Sequence, residues 1–355
     1  MAYAPSRPNP LLPPIRVNLY SDTQTRPSAA MKDAMMRAEV GDEQNGDDPT
    51  INELCDRMAA LCGKEAAMFL PTGTMCNQIA IATQCRPGDE MLAHEASHVT
   101  VNEGGGPGAI AGVVALGLRG ARGLFDVPTM QAAFREKRRN SPPQTLLSVE
   151  QTANFGGGSV WPLAQLNAVT EAAHAWGMKT HMDGARLMNA VVAAGVPADV
   201  MTAGCDTVWL DFTKGLGAPL GAVLCGSAAF IDQAWRWKQR LGGSMRQGGI
   251  CAAACLYALD HNVDRLADDH ANAAALAQAL AEIPGLSVET PETNLVFFNT
   301  SGTGIAADVL TARLRQEGVM VSVMGANRIR ACTHLDVDRA GVELAIQIIR
   351  ACTAK

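Results

Sequence analysis

The sequence lacks an excess of basic charge and any long apolar run. Its 29 Lys and Arg residues are outnumbered by 35 Asp and Glu residues, which gives a formal net charge of −6. Because no basic face is available to neutralise phosphates, we do not expect nucleic acid as a partner. No apolar run approaches the roughly 18 residues that a membrane span requires, so we expect no membrane insertion.

The patterns of disulfide and zinc-binding proteins are also missing. None of the ten cysteines forms a Cys-x-x-Cys pair in this chain of 355 residues, and we predict no metal site. Disulfide scaffolds are typically short and secreted, so these cysteines favour a reduced, cytoplasmic protein. Residues 1–17 are rich in proline and contain no apolar core, which indicates a tail rather than a signal peptide.

The remaining composition is typical of a globular protein with more than one packed unit. Apolar residues make up 48% of the chain and charged residues 18%, which excludes a disordered chain. Apolar strand candidates alternate with helical patterns, and this alternation predicts an α/β fold with a mainly parallel sheet. The strand candidates are Ala66–Leu70, Leu146–Val149, Lys179–Met182, Thr207–Asp211 and Ala222–Cys225.

The last third of the chain has a different pattern. An Ala-rich helical stretch at residues 252–283 precedes two further strand candidates, at residues 295–298 and 319–323, and a closing helix. This order predicts a smaller α+β unit. We therefore expect a tail at 1–17, a large domain at 18–255 and a small domain at 256–355. The N-terminal segment of the large domain could pack on the small one.

Two charged side chains follow predicted strands of the large domain. Lys214 lies beside glycine, directly after the strand that ends at Asp211, and Asp183 follows the strand that begins at Lys179. A partly desolvated lysine amine suits Schiff-base formation, and a carboxylate can keep a pyridine nitrogen protonated. The alternatives are a solvated loop lysine and a helix N-cap.

A third motif completes this pattern. Gly73 and Thr74 open a helix after the strand candidate Ala66–Leu70, and free backbone N–H groups at a helix start bind phosphate. Taken alone, this motif also fits an ordinary capped helix. Together, the three motifs predict a pyridoxal phosphate site with an amine, a nitrogen partner and a phosphate cup.

These motifs resemble the low-specificity L-threonine aldolases, within the aromatic amino acid β-eliminating lyase/threonine aldolase family. The resemblance implies a fold-type I enzyme that uses pyridoxal 5'-phosphate, with a mainly parallel seven-stranded sheet and a smaller C-terminal domain. It also implies a homo-oligomer, either a dimer or a tetramer built as a dimer of dimers. The matching segments are residues 21–27, 46–50, 63–67, 71–75, 183–186, 214–217, 245–247 and 333–336.

The resemblance implies roles for individual residues. Lys214 would carry the cofactor, Asp183 would pair with its ring nitrogen, and His98 would stack on the ring and take part in proton transfer. These three are the implied catalytic residues. The substrate carboxylate would be held by Ser21, Arg186 and Arg330. The implied cofactor-binding residues are Gly73, Thr74, His98, Asp183, Arg186, Thr213, Lys214 and Arg246.

The sequence departs from the family pattern on the substrate side. Asn45 and Asn102 stand where the family commonly has tyrosine, and Ala153 stands where it has histidine. A further family histidine falls near Asn140. These changes predict a reshaped pocket for the substrate's β-substituent, with neutral drift as the alternative.

The expected reaction is retro-aldol cleavage of an L-β-hydroxy-α-amino acid to glycine and an aldehyde. The main alternative is a β-eliminating lyase on the same scaffold, with Lys214 as the base at the α-carbon. Transamination is a weaker alternative, because the motifs follow the aldolase subgroup. A scaffold without turnover is opposed by the presence of Lys214, Asp183 and Arg186.

Overall fold

A computed structural model describes residues 9–354 of the chain. They divide into a large unit, Thr25–Asp268, and a small unit that joins the residues up to Gln24 to those from Asp269 onward. Residues 1–8 of the predicted Pro-rich tail lie outside the described residues. Within residues 9–354, no helix is long and apolar enough to cross a membrane.

The strands and helices are numbered in chain order. The strands are β1 (Val17–Asn18), β2 (Ala66–Leu70), β3 (Glu90–His94), β4 (Val114–Leu118), β5 (Gln144–Glu150), β6 (Lys179–Gly184), β7 (Thr207–Asp211), β8 (Ala222–Gly226), β9 (Ser287–Val288), β10 (Leu295–Asn299), β11 (Val319–Met320), β12 (Ser322–Val323) and β13 (Arg328–Cys332). The α-helices are α1 (Ala29–Met36), α2 (Pro49–Leu61), α3 (Gly73–Gln84), α4 (His98–Val101), α5 (Gly106–Ala111), α6 (Val127–Ala133), α7 (Leu163–Ala175), α8 (Leu187–Ala194), α9 (Ala198–Thr202), α10 (Ala228–Arg240), α11 (Gly249–His261), α12 (Leu266–Ala281), α13 (Ala307–Gln316) and α14 (Arg339–Thr353). Short 3-10 helices cover Asp22–Gln24, Glu43–Asn45, Ala121–Gly123 and Ser301–Thr303.

The large unit is built on a seven-stranded sheet with the order β2-β8-β7-β6-β5-β3-β4. Strands β4, β3, β5, β6 and β7 run parallel, and β8 lies antiparallel between β7 and β2. The predicted fold class, with its mainly parallel sheet, is therefore confirmed. Strands β3 and β4 do not stand out as apolar runs in the sequence, because Glu90 and His94 bound β3 and Gly117 interrupts β4.

Helix α3 begins at a turn that only glycine fits. The Thr72 hydroxyl accepts a hydrogen bond from the Met75 N–H at 3.2 Å and caps the helix. A Cβ atom added to Gly73 would lie 2.1 Å from the indole of Trp209, closer than any real contact. The backbone of this turn therefore lies directly against a side chain of β7.

The small unit contains two separate sheets. Strands β12, β13, β10 and β9 form an antiparallel sheet in that order, and β1 pairs with β11 in parallel. Its core includes Phe298, Leu310 and Ile349 from β10, α13 and α14. This is the α+β unit that was expected at the C-terminus.

The division between the two units differs from the expected one. Residue 255 lies inside α11, which packs on α1 and α2. Ala252, Cys255 and Ala258 of α11 are fully buried in the core of the large unit. Because this helix face belongs to the large core, the division falls later, between Asp268 and Asp269.

A buried ion pair connects α10 to the 3-10 helix Glu43–Asn45. The Lys238 side chain is 0% exposed, and its amine donates to the Glu43 carboxylate and, at 2.8 Å, to the Phe69 carbonyl. The other Glu43 oxygen accepts the Met245 N–H at 2.8 Å. Burial lowers the pKa of the Lys238 amine, and Glu43 opposes this shift. The pair thus holds the loop that leads to Arg246.

Removal of one partner from this pair is expected to destabilise the protein strongly. Lys238→Met or Glu43→Leu leaves an uncompensated buried charge, so each should lower the free energy of unfolding by about 3–5 kcal/mol. The double variant should lose at least about 1 kcal/mol less than the sum of the two single losses. Urea unfolding of the four proteins measures this coupling, and strictly additive losses would contradict the proposed pairing.

Candidate active site

Three adjacent strands place polar or aromatic side chains at one level of the sheet. Glu150 on β5 is the register partner of Asp183 on β6, and Asp183 is the partner of Trp209 on β7. These residues lie at or near the carboxyl ends of parallel strands, which share one edge of the sheet. Ligands of open α/β sheets bind at this edge.

A buried asparagine on α3 joins these side chains. The Asn77 amide nitrogen donates to Asp183 Oδ2 at 2.8 Å and to Glu103 Oε1 at 2.7 Å. The amide oxygen of Asn77 accepts the Trp209 indole N–H at 2.7 Å. Because the indole nitrogen can only donate, this contact fixes which way the amide faces.

His181 also contacts the amide oxygen of Asn77. Burial lowers the pKa of His181 to about 3, so the ring is neutral near pH 7. Its Nε2 lies 3.0 Å from the Asn77 amide oxygen, which can only accept, so Nε2 carries the proton. Nδ1 then accepts from the Thr207 hydroxyl at 2.8 Å.

Asp183 is a carboxyl group in an unfavourable place for a negative charge. It is 2% exposed, and burial, together with the charges of Glu150 and Glu103, raises its pKa to about 7. The Ala185 N–H donates to Oδ1 at 3.1 Å, and Asn77 donates to Oδ2. A cationic N–H partner at this position would stabilise the ionised carboxylate.

Lys214 also lies near the Trp209 indole. Its Nζ donates to Asp211 Oδ2 at 2.6 Å and lies 5.8 Å from the centre of the Trp209 ring. The other Asp211 oxygen accepts the N–H and hydroxyl of Thr213, at 2.9 and 2.7 Å. The Thr25 hydroxyl donates to the Lys214 carbonyl at 2.7 Å. Hydrogen bonds from Thr213 and Thr25 therefore fix the turn that contains Lys214.

The indole of Trp209 brings three of the predicted site residues together. Gly73 packs against its ring, Lys214 lies over it, and Asn77 connects its N–H to Asp183. Thr74, next to Gly73, is exposed in the first turn of α3. The start of α3, the Lys214 amine and the Asp183 carboxyl thus lie close to one indole, and their roles in binding a cofactor stay predictions.

His98 joins this cluster through Glu103. The His98 Nδ1 lies 2.9 Å from Glu103 Oε1, and the His98 backbone N–H donates to Glu150 Oε2 at 2.7 Å. The hydrogen bond to Glu103 raises the pKa of His98, and burial opposes this shift. His98 also stands four residues after His94, whose Nε2 instead contacts the Gly120 carbonyl at 3.1 Å.

Among the described residues, one combination could hold a metal ion. Ligand atoms of His98, Glu103 and Asp183 lie within 4.8 Å of one another. Each of these side chains already has a partner within the cluster, and two of the three are joined directly. The absence of a metal site stays a prediction.

Two predicted arginines of the large unit occupy different settings. Arg186 is buried at the start of α8, three residues after Asp183, and its N–H donates to the Gln151 carbonyl at 3.0 Å. Arg246 has a 60% exposed side chain, and its guanidinium pairs with Asp42 at 2.7 Å. The structure therefore places Arg186 beside the cluster, whereas the known partner of Arg246 lies on a neighbouring segment.

The remaining predicted residues belong to the small unit. The Arg330 guanidinium donates to the Tyr20 carbonyl at 3.3 Å, next to Ser21. The Ser21 hydroxyl accepts from the Thr23 hydroxyl at 2.9 Å. Ser21 and Arg330 are thus close to each other, and their role in holding a substrate carboxylate stays a prediction.

The four positions that depart from the family pattern differ in their surroundings. Asn45 and Asn102 are exposed, and Asn102 directly precedes Glu103. Ala153 is buried, and a Cβ added to Gly123 would lie 2.7 Å from its methyl group, so backbone occupies the space around it. Asn140 precedes the amino end of β5, whereas Glu150 ends that strand. That Asn140 lines the pocket stays a prediction.

Several residues of the cluster were not assigned a role from the sequence. Asp211 and Glu150 each end a strand, and this position was the one available signal. Nothing in the local pattern singles out the other three, because their contacts join segments that are far apart in the chain. They are Asn77, Glu103 and Trp209.

Comparison with protein families gives one match that covers most of the chain. The family model described as Beta-eliminating lyase matches residues 18–303. The low specificity L-threonine aldolase of Escherichia coli K12 is 40% identical over 324 residues, which are 91% of this chain and 95% of that protein. The low-specificity L-threonine aldolase 1 of Arabidopsis thaliana is 37% identical and covers 93% and 94% of the two chains.

Solved structures show the same fold. A threonine aldolase from Leishmania major superposes with a TM-score of 0.81 over 95% of this chain and 99% of that one. Its sequence identity is 18%, so this similarity concerns the fold alone.

The pKa of Asp183 predicts how the stability of the cofactor-free protein depends on pH. The folded-state pKa of about 7 exceeds the ordinary value of 3.8, so the folded chain keeps a proton that the unfolded chain releases. The stability that this proton contributes is present below pH 3.8 and is lost as the pH rises to about 7. Asp183→Asn removes this titration.

Urea unfolding from about pH 4 to 8 tests this expectation. The free energy of unfolding of the wild type should fall relative to that of Asp183→Asn as the pH rises, by about 1.4 kcal/mol per unit of pKa shift. The free energy of unfolding of Asp183→Asn also differs from that of the wild type by an amount that does not change with pH, because the introduced amide nitrogen faces the amide nitrogen of Asn77. A difference between the two proteins that does not change with pH would contradict the raised pKa of Asp183.

Proposed function

Because the chain belongs to the beta-eliminating lyase family, we propose that it cleaves L-β-hydroxy-α-amino acids to glycine and an aldehyde. Threonine, allo-threonine and bulkier analogues are the proposed substrates. The observation that carries this proposal is the Lys214 and Asp183 pair held around Trp209 and Asn77. The 40% identity to a low specificity L-threonine aldolase over nearly the whole chain supports the same reaction.

The chain is a fold-type I, pyridoxal-phosphate-dependent lyase, and its residues fit that cofactor. The fit is chemical and steric. Each oxygen of the buried Asp183 carboxyl accepts one hydrogen bond, from Asn77 or from Ala185, so acceptor capacity remains for a cationic N–H partner. The missing Cβ at Gly73 lets the backbone at the start of α3 lie against Trp209. The first backbone N–H groups of a helix have no partner within the helix, and such groups suit a phosphate.

We assign the residues that hold the cofactor and substrate as follows. Lys214 provides the amine for the covalent linkage, and Asp183 provides the acceptor for the ring nitrogen. The first N–H groups of α3, at Gly73 and Thr74, would bind the phosphate, with Thr213 and Arg246 as further binding residues. In the large unit, Arg186 would hold the substrate carboxylate, since a guanidinium matches its two oxygens.

Pyridoxal phosphate supplies an electron sink that accepts the charge released when a bond at the α-carbon breaks. The chain's own contribution is orientation and proton transfer. A carboxylate held by arginine fixes which α-carbon bond stands at the angle required for cleavage. His98 Nε2 is the atom that accepts the β-hydroxyl proton. The Lys214 amine transfers the proton at the α-carbon.

A second candidate function is β-elimination on the same scaffold. The family model that matches carries this description, and the Lys214 amine would then remove the α-proton. The two reactions differ in their products. Retro-aldol cleavage releases glycine and an aldehyde, whereas elimination releases a keto acid and ammonia.

We further propose a homo-oligomer in the cytoplasm, either a dimer or a homotetramer built as a dimer of dimers. Exposed apolar side chains on α1 and α11 support an interface between copies, since Met36 is 83% exposed and Ile250 is also exposed. Arg246 lies on the adjacent loop, where it could serve the site of a neighbouring subunit.

Lys214→Ala tests the covalent assignment. The variant should lose the visible absorbance of the lysine–cofactor linkage and leave no adduct after borohydride reduction, because no other amine is proposed to form the bond. Lys179→Ala, which removes an exposed lysine outside the proposed site, is the control and should retain the absorbance. An adduct that survives in Lys214→Ala would show that another residue carries the cofactor.

The departures at Asn45 and Asn102 predict a distinctive substrate preference. An asparagine in place of an aromatic ring leaves more room and adds amide hydrogen-bonding groups, and one methylene of contact is worth about 1–3 kcal/mol. We therefore expect kcat/KM for phenylserine or 3-hydroxyaspartate to exceed that for threonine. Asn102→Tyr should shift the ratio back towards threonine.

One preparation of each protein, assayed for aldehyde release from threonine, allo-threonine, phenylserine and 3-hydroxyaspartate, gives the comparison. If threonine or allo-threonine leads by about tenfold in the wild type, the pocket is not reshaped and the substitutions are drift. An unchanged ratio in Asn102→Tyr would remove that residue from the pocket.

A further inference from the structure

We propose that Glu103 is a positioning residue that fixes the tautomer of His98 and couples it to Asp183 through Asn77. The inference concerns the same site and rests on the proposed function only where His98 accepts a proton. Glu103 carries no role in the sequence analysis, and its position in the cluster follows from the contacts of its two carboxylate oxygens.

The Glu103 carboxylate is directed entirely at the site. Its side chain is 0% exposed, so both oxygens depend on protein donors. Oε1 contacts His98 Nδ1 at 2.9 Å and accepts from Asn77 at 2.7 Å. Oε2 accepts from the Gln78 amide at 2.5 Å. Two consecutive residues of α3 and the one imidazole therefore determine where this carboxylate lies.

These contacts settle which nitrogen of His98 carries the proton. The Asn77 amide nitrogen faces Glu103 because its oxygen accepts from Trp209, so Glu103 Oε1 acts as an acceptor in this contact. Oε2 likewise accepts from the Gln78 amide, so both Glu103 oxygens act as acceptors and His98 Nδ1 is the donor in its contact with Oε1. In the neutral ring, Nε2 is then left with the lone pair that can accept a proton.

Glu103 is distinct from the other carboxylate that contacts His98. Glu150 accepts the backbone N–H of His98 at 2.7 Å and that of Asn154 at 2.8 Å, so it holds the main chain. Among residues 9–354, only Glu103 forms a hydrogen bond with the imidazole ring of His98. Both residues are glutamates that contact His98, but Glu103 contacts its imidazole ring whereas Glu150 contacts its backbone N–H. Glu150→Gln is therefore a matched control for Glu103→Gln.

The coupling to Asp183 follows from the same amide. Both amide hydrogens of Asn77 are used, one on Glu103 and one on Asp183. A change in the charge of either carboxylate therefore acts on the other through one shared group. The proton acceptor for the substrate and the acceptor for the cofactor nitrogen are parts of one hydrogen-bonded unit.

The test is histidine NMR on the cofactor-loaded protein labelled with ¹⁵N-histidine, with His98→Gln used to assign the resonance. We expect wild-type His98 to carry its proton on Nδ1 when neutral. Glu103→Gln should lower the pKa of His98 by about one unit, a tenfold change in its acidity constant, and should weaken the Nδ1–H preference. Glu150→Gln should leave the tautomer unchanged and shift the pKa less.

The same variants are assayed across pH. Since His98 must be neutral to accept a proton, a lower pKa in Glu103→Gln should move the acid limb of kcat/KM to lower pH by the same amount. A shifted imidazole pKa with an unmoved acid limb supports the positioning role and counts against His98 as the proton acceptor. The positioning role of Glu103 and the role of His98 as proton acceptor can therefore be contradicted independently.

An unchanged His98 tautomer and pKa in Glu103→Gln would overturn the proposal, as would an equal shift in Glu150→Gln. Should Glu103→Gln not fold, Glu103→Asp keeps the charge and withdraws the oxygens by about one bond length. It should then lose the Nδ1–H preference while retaining the cofactor. Retention of the wild-type tautomer in Glu103→Asp would also contradict the proposal.

Discussion

The burial of three carboxylates in one hydrogen-bonded cluster is the constraint on which the site depends. Asp183, Glu103 and Glu150 lie at or near the carboxyl edge of the sheet, and all are nearly inaccessible to solvent. Each has N–H donors placed by α3, by α4 or by the loop after β5. Because burial and mutual repulsion raise the pKa of Asp183 to about 7, the cluster favours any partner that brings a positive charge.

Helix α3 organises this cluster and the proposed phosphate cup at the same time. Its first residue, Gly73, lies against Trp209, and one turn later Asn77 receives the N–H of that indole. The spacing of about 3.6 residues per turn therefore sets the distance between cup and carboxylate. The parallel register of β5, β6 and β7 aligns Glu150, Asp183 and Trp209. The geometry of the cluster is therefore set by helix α3 and by the register of these three strands.

The sequence could predict what is local. Apolar runs located β2 and β7, and Lys214, Asp183 and Gly73 follow from motifs at strand ends. It could not predict Asn77 or Glu103, because an asparagine in α3 acquires its role only when β6 and the loop before α5 fold beside it. The division between the units was expected at residue 255, which instead lies inside α11.

The central claim is that Asp183, held in this cluster, accepts the ring nitrogen of the cofactor. ¹⁵N NMR of protein loaded with pyridoxal phosphate labelled at that nitrogen tests it most directly. The account predicts a nitrogen that stays protonated from about pH 6 to 9 in the wild type and loses its proton in Asp183→Asn. A wild-type nitrogen that is unprotonated near neutral pH, or one unaffected by the substitution, would contradict the account.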